Sequence, residues 1–364
     1  MKIKLVDLKA NYLGIKDEID CAVAEVLDNT SFIMGRYVEE FESKWASFCK
    51  VKHAIGVSNG TDAVRLAVKA LGIGKDDEVI TVSNTFIATT EAVSDNGATP
   101  VFVDIDRQTY CIDAKRIEAS ITPKTKAIIC VHLYGHPCDM DEIKSIAGAH
   151  HLKVIEDCAQ CHGALYKGRV VGTIGDIGCF SMFPAKILGA FGDAGAVITN
   201  NDDLARHIRL QRNHGRVSKY DSIVEGGNAR LDALQAKILS VKLDHLDKWI
   251  EARRRLAQRY TAKLKGVVGT PVEREWAMHP YYMYVIRSKK RDALMKHLSE
   301  SGIECGIHYP KPLHLQQAYA FMEMDEGSLP ATEQACAEIL SIPLYPEMTD
   351  EEQNFVIEAI LEIH

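Results

Sequence analysis

Between residues 54 and 214, short apolar runs alternate with amphipathic stretches. Ala54-Ile-Gly-Val57 is followed by residues 62–71, where Val64, Leu66, Ala67, Val68 and Leu71 are apolar. In the same stretch Arg65 and Lys69 stand four apart on one polar face. The change of period predicts a strand and then a helix. Further strands are predicted at 78–82, 100–104, 126–131, 152–156, 177–181 and 196–199, with short helices at 113–120 and 140–149. Near-continuous apolar strands interleaved with helices predict an α/β fold, its mostly parallel sheet covered on both faces.

The pattern changes near residue 230. Residues 230–259 read as one long helical stretch, with room for a bend, and its run Arg253-Arg-Arg255 reads as a solvated face. Beyond it a strand is predicted at 281–286, a helix at 291–301, and a turn leading into a strand at 302–308. This predicts a smaller C-terminal α+β domain, residues 246–364, joined to a large domain, residues 1–245, that includes the N-terminal segment. No repeat or low-complexity linker separates the two, so a rigid junction is expected.

A chain of 364 residues can hold one large α/β domain and an appendage. A net charge of −7 argues against nucleic acid as the main partner. Met1-Lys-Ile-Lys-Leu-Val-Asp7 lacks the apolar core of a signal peptide. No apolar run approaches the roughly 20 residues of a membrane helix. A soluble cytoplasmic protein, with no membrane partner, is the expectation. The ten cysteines form no regular framework and are expected to be reduced and mostly buried. Cys158-Ala-Gln-Cys161-His162 matches both a haem-attachment pattern and a C-x-x-C dithiol. The simpler reading is that small residues were needed beside Asp157.

The candidate chemistry falls at successive strand ends. Lys186 stands between an apolar strand and a turn punctuated by Gly189, Gly192 and Gly195. A lysine desolvated at a sheet mouth can attack a carbonyl through its amine. Asp157 closes the strand Val154-Ile-Glu-Asp157, at the end of an α/β sheet where ligands gather. A Schiff-base lysine and a carboxylate for a pyridinium nitrogen are what pyridoxal phosphate requires. Asp157 could equally cap a helix. Ser58-Asn-Gly-Thr-Asp62 joins a strand to a helix; Gly60 permits close backbone approach, and the helix start could cradle a phosphate or simply be capped. Gln160 could reach a ring substituent. Phe86 could stack on a pyridine ring or sit in the core. Ser181 could donate to a phosphate or to the local backbone. Their order along the chain is more telling than any one of them.

On these residues the chain resembles the nucleotide-sugar aminotransferases of the DegT/StrS type, within the fold-type I pyridoxal phosphate enzymes. The matching segments are Ser58–Asp62, Val154-Ile-Glu-Asp-Cys-Ala-Gln160, Gly175-Asp-Ile-Gly-Cys-Phe-Ser181, Lys186 with Gly192-Asp-Ala-Gly195, Gly227-Asn-Ala-Arg-Leu231 and His308-Tyr-Pro310. The resemblance implies a large cofactor-binding domain with a mostly parallel mixed sheet between helices, plus a small C-terminal α+β domain. It implies that Lys186 forms the Schiff base and shuttles the proton, with Asp157 at the ring nitrogen and Gln160 at the ring oxygen. Gly60, Thr61 and Ser181 then cradle the phosphate, and Phe86 stacks on the ring. Asn228 would reach the phosphate in a neighbouring subunit, which implies a homodimer with shared sites. No metal is implied. The family often has alanine where this chain has Cys158 and Cys161. A dehydratase branch carries histidine at the Lys186 position, so lysine favours transamination.

The activity so implied is transfer of an amino group from glutamate to a keto carbon of a nucleotide-linked sugar, with ping-pong kinetics. The segment His308-Tyr-Pro-Lys-Pro-Leu-His314 resembles the 3-keto branch, with His308, Tyr309 and His314 lining the sugar pocket; a proline-stiffened loop packing on the core is the alternative. A dTDP- or UDP-linked 3-keto-deoxyhexose is expected, yielding a 3-amino sugar for a surface polysaccharide such as an O-antigen, or for a natural product. A 4-keto sugar is the second choice. Two other classes stay open: a non-catalytic regulator on the same fold, and a nicotinamide oxidoreductase, which the missing G-x-G-x-x-G turn disfavours.

Overall fold

Strands of Val, Ile and Ala with no polar face need cover on both sides, and the computed structural model, which describes residues 1–363, provides it. The strands are β1 (His53–Val57), β2 (Glu78–Val82), β3 (Thr99–Val103), β4 (Thr125–Val131), β5 (Lys153–Asp157), β6 (Leu165–Tyr166), β7 (Arg169–Val170), β8 (Ile177–Ser181) and β9 (Gly195–Thr199). Seven of them form one sheet in the order β1-β9-β8-β5-β4-β2-β3. The pairs β2–β3, β2–β4, β4–β5 and β5–β8 are parallel. Strand β9 is antiparallel to both β8 and β1. The reason is local: the loop carrying Lys186 doubles back without a crossover helix, and only an antiparallel strand can follow it.

One face of the sheet packs on a core that includes Phe41, Trp45, Phe180 and Leu239. The other packs on the helix Gly60–Ala70 through Ala63, Leu66 and Ala67. A separate core holds Leu294, Leu298, Val356 and Ile360 around β11 (Tyr284–Arg287) and β12 (Ile339–Ile342), which follow the short β10 (Ala277–Met278). Ile3 packs in this second core and bridges to Ile303. The expected small domain ends on residue 364, which lies outside the described residues.

Five expectations change. Residues 113–120 form two short 3-10 turns, Ala114–Arg116 and Glu118–Ser120, rather than an α-helix. The stretch is only about two turns long, and Pro123 biases the residue before it toward extended backbone. The long helix is two, Ala233–Leu243 and Leu246–Leu264. The first is buried nearly all round, whereas the second buries one stripe, so the chain turns between them. Arg253 lies in that stripe and is not on a solvated face. Its Nη1 donates to the carbonyls of Tyr281 (3.4 Å), Tyr282 (3.3 Å) and Leu344 (2.9 Å). Only Arg255 of the run is exposed. Finally, residues 302–308 make isolated bridges, Ile303 to Ile3 and Gly306 to Ser341, instead of a strand. Strand β11 starts at Tyr284 because Tyr281 has φ +51°, outside the extended region.

No helix among the described residues is long and apolar enough to cross a membrane. All ten cysteines are free, and all but Cys21 and Cys305 are buried.

Candidate active site

Parallel strands bring their carboxyl ends to one edge, and β5 and β8 deliver Asp157 and Ser181 there. Asp157 pairs in register with Cys179 of β8. Asp157 is only 7% exposed. Oδ2 accepts from Thr89 Oγ1 at 2.8 Å and Oδ1 from the Ala159 amide at 3.1 Å.

Gly60 opens the helix Gly60–Ala70, which Asn59 caps by accepting from the Asp62 amide at 2.7 Å. A Cβ at Gly60 would lie 2.5 Å from Ser181 Cβ and 3.0 Å from Ser181 Cα. Only glycine lets this helix start press against the end of β8. The helix dipole, the first-turn amides of Gly60 and Thr61, and the Ser181 hydroxyl then share one small space suited to an anion. The Ser181 oxygen accepts weakly from the Phe183 amide at 3.5 Å, and its own hydrogen remains free to donate.

The segment between β8 and β9 is pinned at its base by Met182 N to Ala194 O and Ala190 N to Met182 O, both 2.8 Å. Within it the Lys186 amide donates to Phe183 O at 2.8 Å. The half-buried Lys186 projects Nζ over the ring of Tyr282, 4.6 Å from its centroid. That charge is felt by two imidazoles. Burial, aided by Lys186, lowers His162 to about 3 and also holds His308 below its ordinary value. Both rings are therefore held toward the neutral form beside Lys186.

Gln160 is held at both ends of its amide. Oε1 accepts from the Tyr134 amide at 2.7 Å, and Nε2 donates to Tyr309 Oη at 3.2 Å. Burial pushes the Tyr309 phenol up, with Tyr282 and the Asp157 charge adding to it. Phe86, 56% exposed, leans its ring on Tyr309, centroids 6.0 Å apart. The Tyr134 hydroxyl donates to the His308 carbonyl, next to the cis His308–Tyr309 peptide. His308 Nδ1 meets Ser341 Oγ at 2.9 Å.

The structure thus gathers Asp157, Gln160, Phe86, Lys186, His308 and Tyr309 in one neighbourhood, with Gly60, Thr61 and Ser181 at its edge. Two residues stand apart. His314 is 2% exposed, with Nδ1 on Ser83 Oγ (2.8 Å) and Nε2 on Glu333 (3.2 Å), so neither ring nitrogen is free to meet a sugar. Asn228 is exposed on the 212–232 segment, where its backbone bridges Asn213.

Sequence reasoning missed Thr89, Tyr134, Tyr282 and the His132–Glu156 pair. Only Glu156 carried a signal: a carboxylate inside an apolar strand must find partners. His132, Glu156 and Cys158 put donor atoms within 4.8 Å of one another. The electron pairs of Glu156 and His132 are already committed, since Glu156 accepts from three amides and from His132, and His132 Nδ1 accepts from Cys138 N. Burial pushes the thiols of Cys158 and Cys161 up, away from the reactive thiolate.

The donor set suits pyridoxal phosphate: an amine at Lys186, a carboxylate at Asp157, an amide at Gln160, and an anion cradle that a Cβ at Gly60 would fill.

Residues 14–361 match the model of the DegT/DnrJ/EryC1/StrS aminotransferase family. The chain is 47% identical to a protein of Geobacillus stearothermophilus named pleiotropic regulatory protein, over 100% of this chain and 99% of that one. It is 42% identical to the dTDP-3-amino-3,4,6-trideoxy-alpha-D-glucose transaminase of Streptomyces venezuelae, over 99% of this chain and 96% of the other. Among solved structures it is similar to S. venezuelae DesV in complex with a ketimine intermediate, with TM-score 0.98 and 42% identity, covering 100% of this chain and 98% of that one.

Proposed function

The chain belongs to the DegT/DnrJ/EryC1/StrS aminotransferase family, and from that premise we propose that it is a pyridoxal phosphate-dependent transaminase acting on a nucleotide sugar. It takes the amino group of glutamate and delivers it to C3 of a dTDP- or UDP-linked 3-keto-deoxyhexose. The observation that supports this reading is the buried Asp157 carboxylate at the end of β5, with β8 beside it leading through Ser181, which packs on Gly60, into the loop that carries Lys186. Likeness to a transaminase named for a 3-amino sugar supports the 3-keto position.

Bound at this site, the cofactor supplies an electron sink that lets an amine nitrogen pass from donor to acceptor. The protein supplies the rest. Ser181 and the first-turn amides would hold the phosphate, and Asp157 would hold a proton at the ring nitrogen. Lys186 would hold the cofactor through its amine and would move a proton at the reacting carbon. The Tyr282 ring gives the Lys186 ammonium a face to rest on. Phe86 and Tyr309 cover the site from the solvent side, and His308 faces the sugar.

The same reading makes the protein a cytoplasmic homodimer. Phe32, Ile33, Val217, Tyr220 and Ile223 are large, apolar and exposed, Tyr220 by 88%. Ile33 bridges Asp232, close in sequence to Asn228. A second copy covering this surface would bury these side chains and carry Asn228 toward its partner's phosphate. Mixing a Lys186→Ala variant with an Asn228→Ala variant should then restore part of the activity.

The name of the Geobacillus relative favours a regulatory reading, and one experiment separates the two. Loaded protein is followed by absorbance while glutamate and then a dTDP-linked 3-keto-6-deoxyhexose are added. Loss of the visible band with glutamate and its return with the sugar support the proposal. A band unmoved by glutamate overturns catalysis, and a return only with a 4-keto sugar overturns the keto position.

A further inference from the structure

A carboxylate buried like Asp157 keeps its charge only where hydrogen bonds replace lost water. Of its two oxygens, Oδ1 is served by the nearby Ala159 amide, a bond formed within its own turn. Oδ2 is served from another element altogether, by Thr89 Oγ1 at 2.8 Å. Thr89 lies on the short helix Ala88–Ser94 and is buried, as is Thr85. The two hydroxyls meet at 2.9 Å. The Thr89 hydrogen is committed to Asp157, so Thr85 must be the donor in that contact. The result is a directed chain, Thr85 to Thr89 to Asp157, in which each bond polarises the next.

The stretch between the two threonines holds Phe86. Its carbonyl accepts from the Thr89 amide at 3.1 Å, so the segment closes into a single turn. Phe86 and the Asp157 carboxylate are thus tied through one residue, Thr89.

We propose that Thr89 is a positioning residue: it sets the carboxylate plane of Asp157 and couples it to the turn that carries Phe86. This rests on the reading of the site as a pyridoxal phosphate site. Thr89 acts through Asp157, so removing its hydroxyl should alter how firmly the ring nitrogen is kept protonated, with the reacting groups left in place. Valine is the fitting replacement, since it keeps the branched shape and loses only the hydroxyl.

The test uses wild type, Thr89→Val, Thr89→Ser and Thr85→Val, each stripped and reloaded with pyridoxal phosphate labelled with ¹⁵N in the ring. The readouts are the dissociation constant and the ring ¹⁵N resonance. Thr89→Val should weaken cofactor binding about ten-fold, as expected for losing one hydrogen bond to a charged group, and move the resonance toward that of neutral pyridine. Thr89→Ser should restore both, and Thr85→Val should fall between. A merely structural threonine would lower the melting temperature and leave the resonance alone; that result, or wild-type affinity in Thr89→Val, overturns the proposal. If Thr89→Val does not fold, Thr85→Val decides, because it leaves the Asp157 contact intact and an unmoved resonance then removes the relay. Failure of the wild type to bind the cofactor sinks the underlying site assignment rather than the role of Thr89.

Discussion

Replacing Glu156 by glutamine should cost about 4 kcal/mol of stability, a large part of the 5–15 kcal/mol that holds a typical fold together. Glu156 is fully buried. Oε1 accepts from the amides of Ile174 (2.7 Å) and Gly175 (2.6 Å), and Oε2 from the Gly172 amide (2.7 Å) and His132 Nε2 (3.1 Å). Glutamine keeps one oxygen and turns the other into an NH₂ that faces two donors. His132 cannot relieve this by shifting its proton, because Nδ1 already accepts from Cys138 N at 2.9 Å. Two buried donors are stranded, at about 1–3 kcal/mol each.

Acid provides the signature. Burial pushes the Glu156 carboxyl up, but the His132 contact and the amides outweigh it and leave the folded value below the ordinary one. The unfolded chain therefore takes up the proton first as pH falls. The contribution is fully present above about pH 5 and is lost as pH drops through the lowered folded value. Glutamine has no proton to gain. Urea unfolding of both proteins at one protein concentration should show a wide gap at pH 7 that narrows below about pH 4. A gap under about 1 kcal/mol, or one that ignores pH, refutes the reasoning.

Lys186→Ala should abolish 2-oxoglutarate production from glutamate; measurable turnover at the wild-type rate removes the lysine from catalysis. Gly60→Ala should lower cofactor affinity, because its Cβ would sit 2.5 Å from Ser181 Cβ, and a titration of stripped protein with pyridoxal phosphate reads this directly. Cys158→Ala with Cys161→Ala should leave turnover nearly intact, whereas loss of a redox-dependent activity would revive the dithiol. Burial lowers Lys242, wedged between Phe191 and Trp249, to about 8 despite the opposing pull of Glu347. Folded protein then binds fewer protons than unfolded between about pH 8 and 10, so wild-type stability should rise across that window, and Lys242→Met should flatten the rise.

What could be read from the chain follows the physics of each signal. Strands buried on both faces announce themselves as apolar runs, and the expected strands of the main sheet lie within a residue or so of those observed. The reversal of β9 was less visible, because apolar content is blind to direction. It could be inferred only from the absence of a helix between Ser181 and Gly195. Arg253 misled for a related reason: periodicity reports where apolar side chains point, and a guanidinium that satisfies three carbonyls occupies a core position without being apolar.

The site shows the same division more sharply. Lys186, Asp157 and Gly60 stand out as candidates because each is the wrong residue for its surroundings unless chemistry or close approach demands it. A lysine among glycines at a sheet mouth needs a reason, as does a carboxylate ending an apolar strand. Thr89 and Tyr282 are the right residues for theirs, a short helix and a half-apolar run, so nothing marks them until Asp157 and Lys186 are placed beside them. His314 is the converse. It sits in a motif-like stretch that invites a binding role, yet Ser83 and Glu333 occupy both of its nitrogens. Residues proposed to touch the cofactor violate a local rule and can be found by it. Residues that aim them obey every local rule and emerge only from the hydrogen bonds, which is why Thr89 had to be read from the fold.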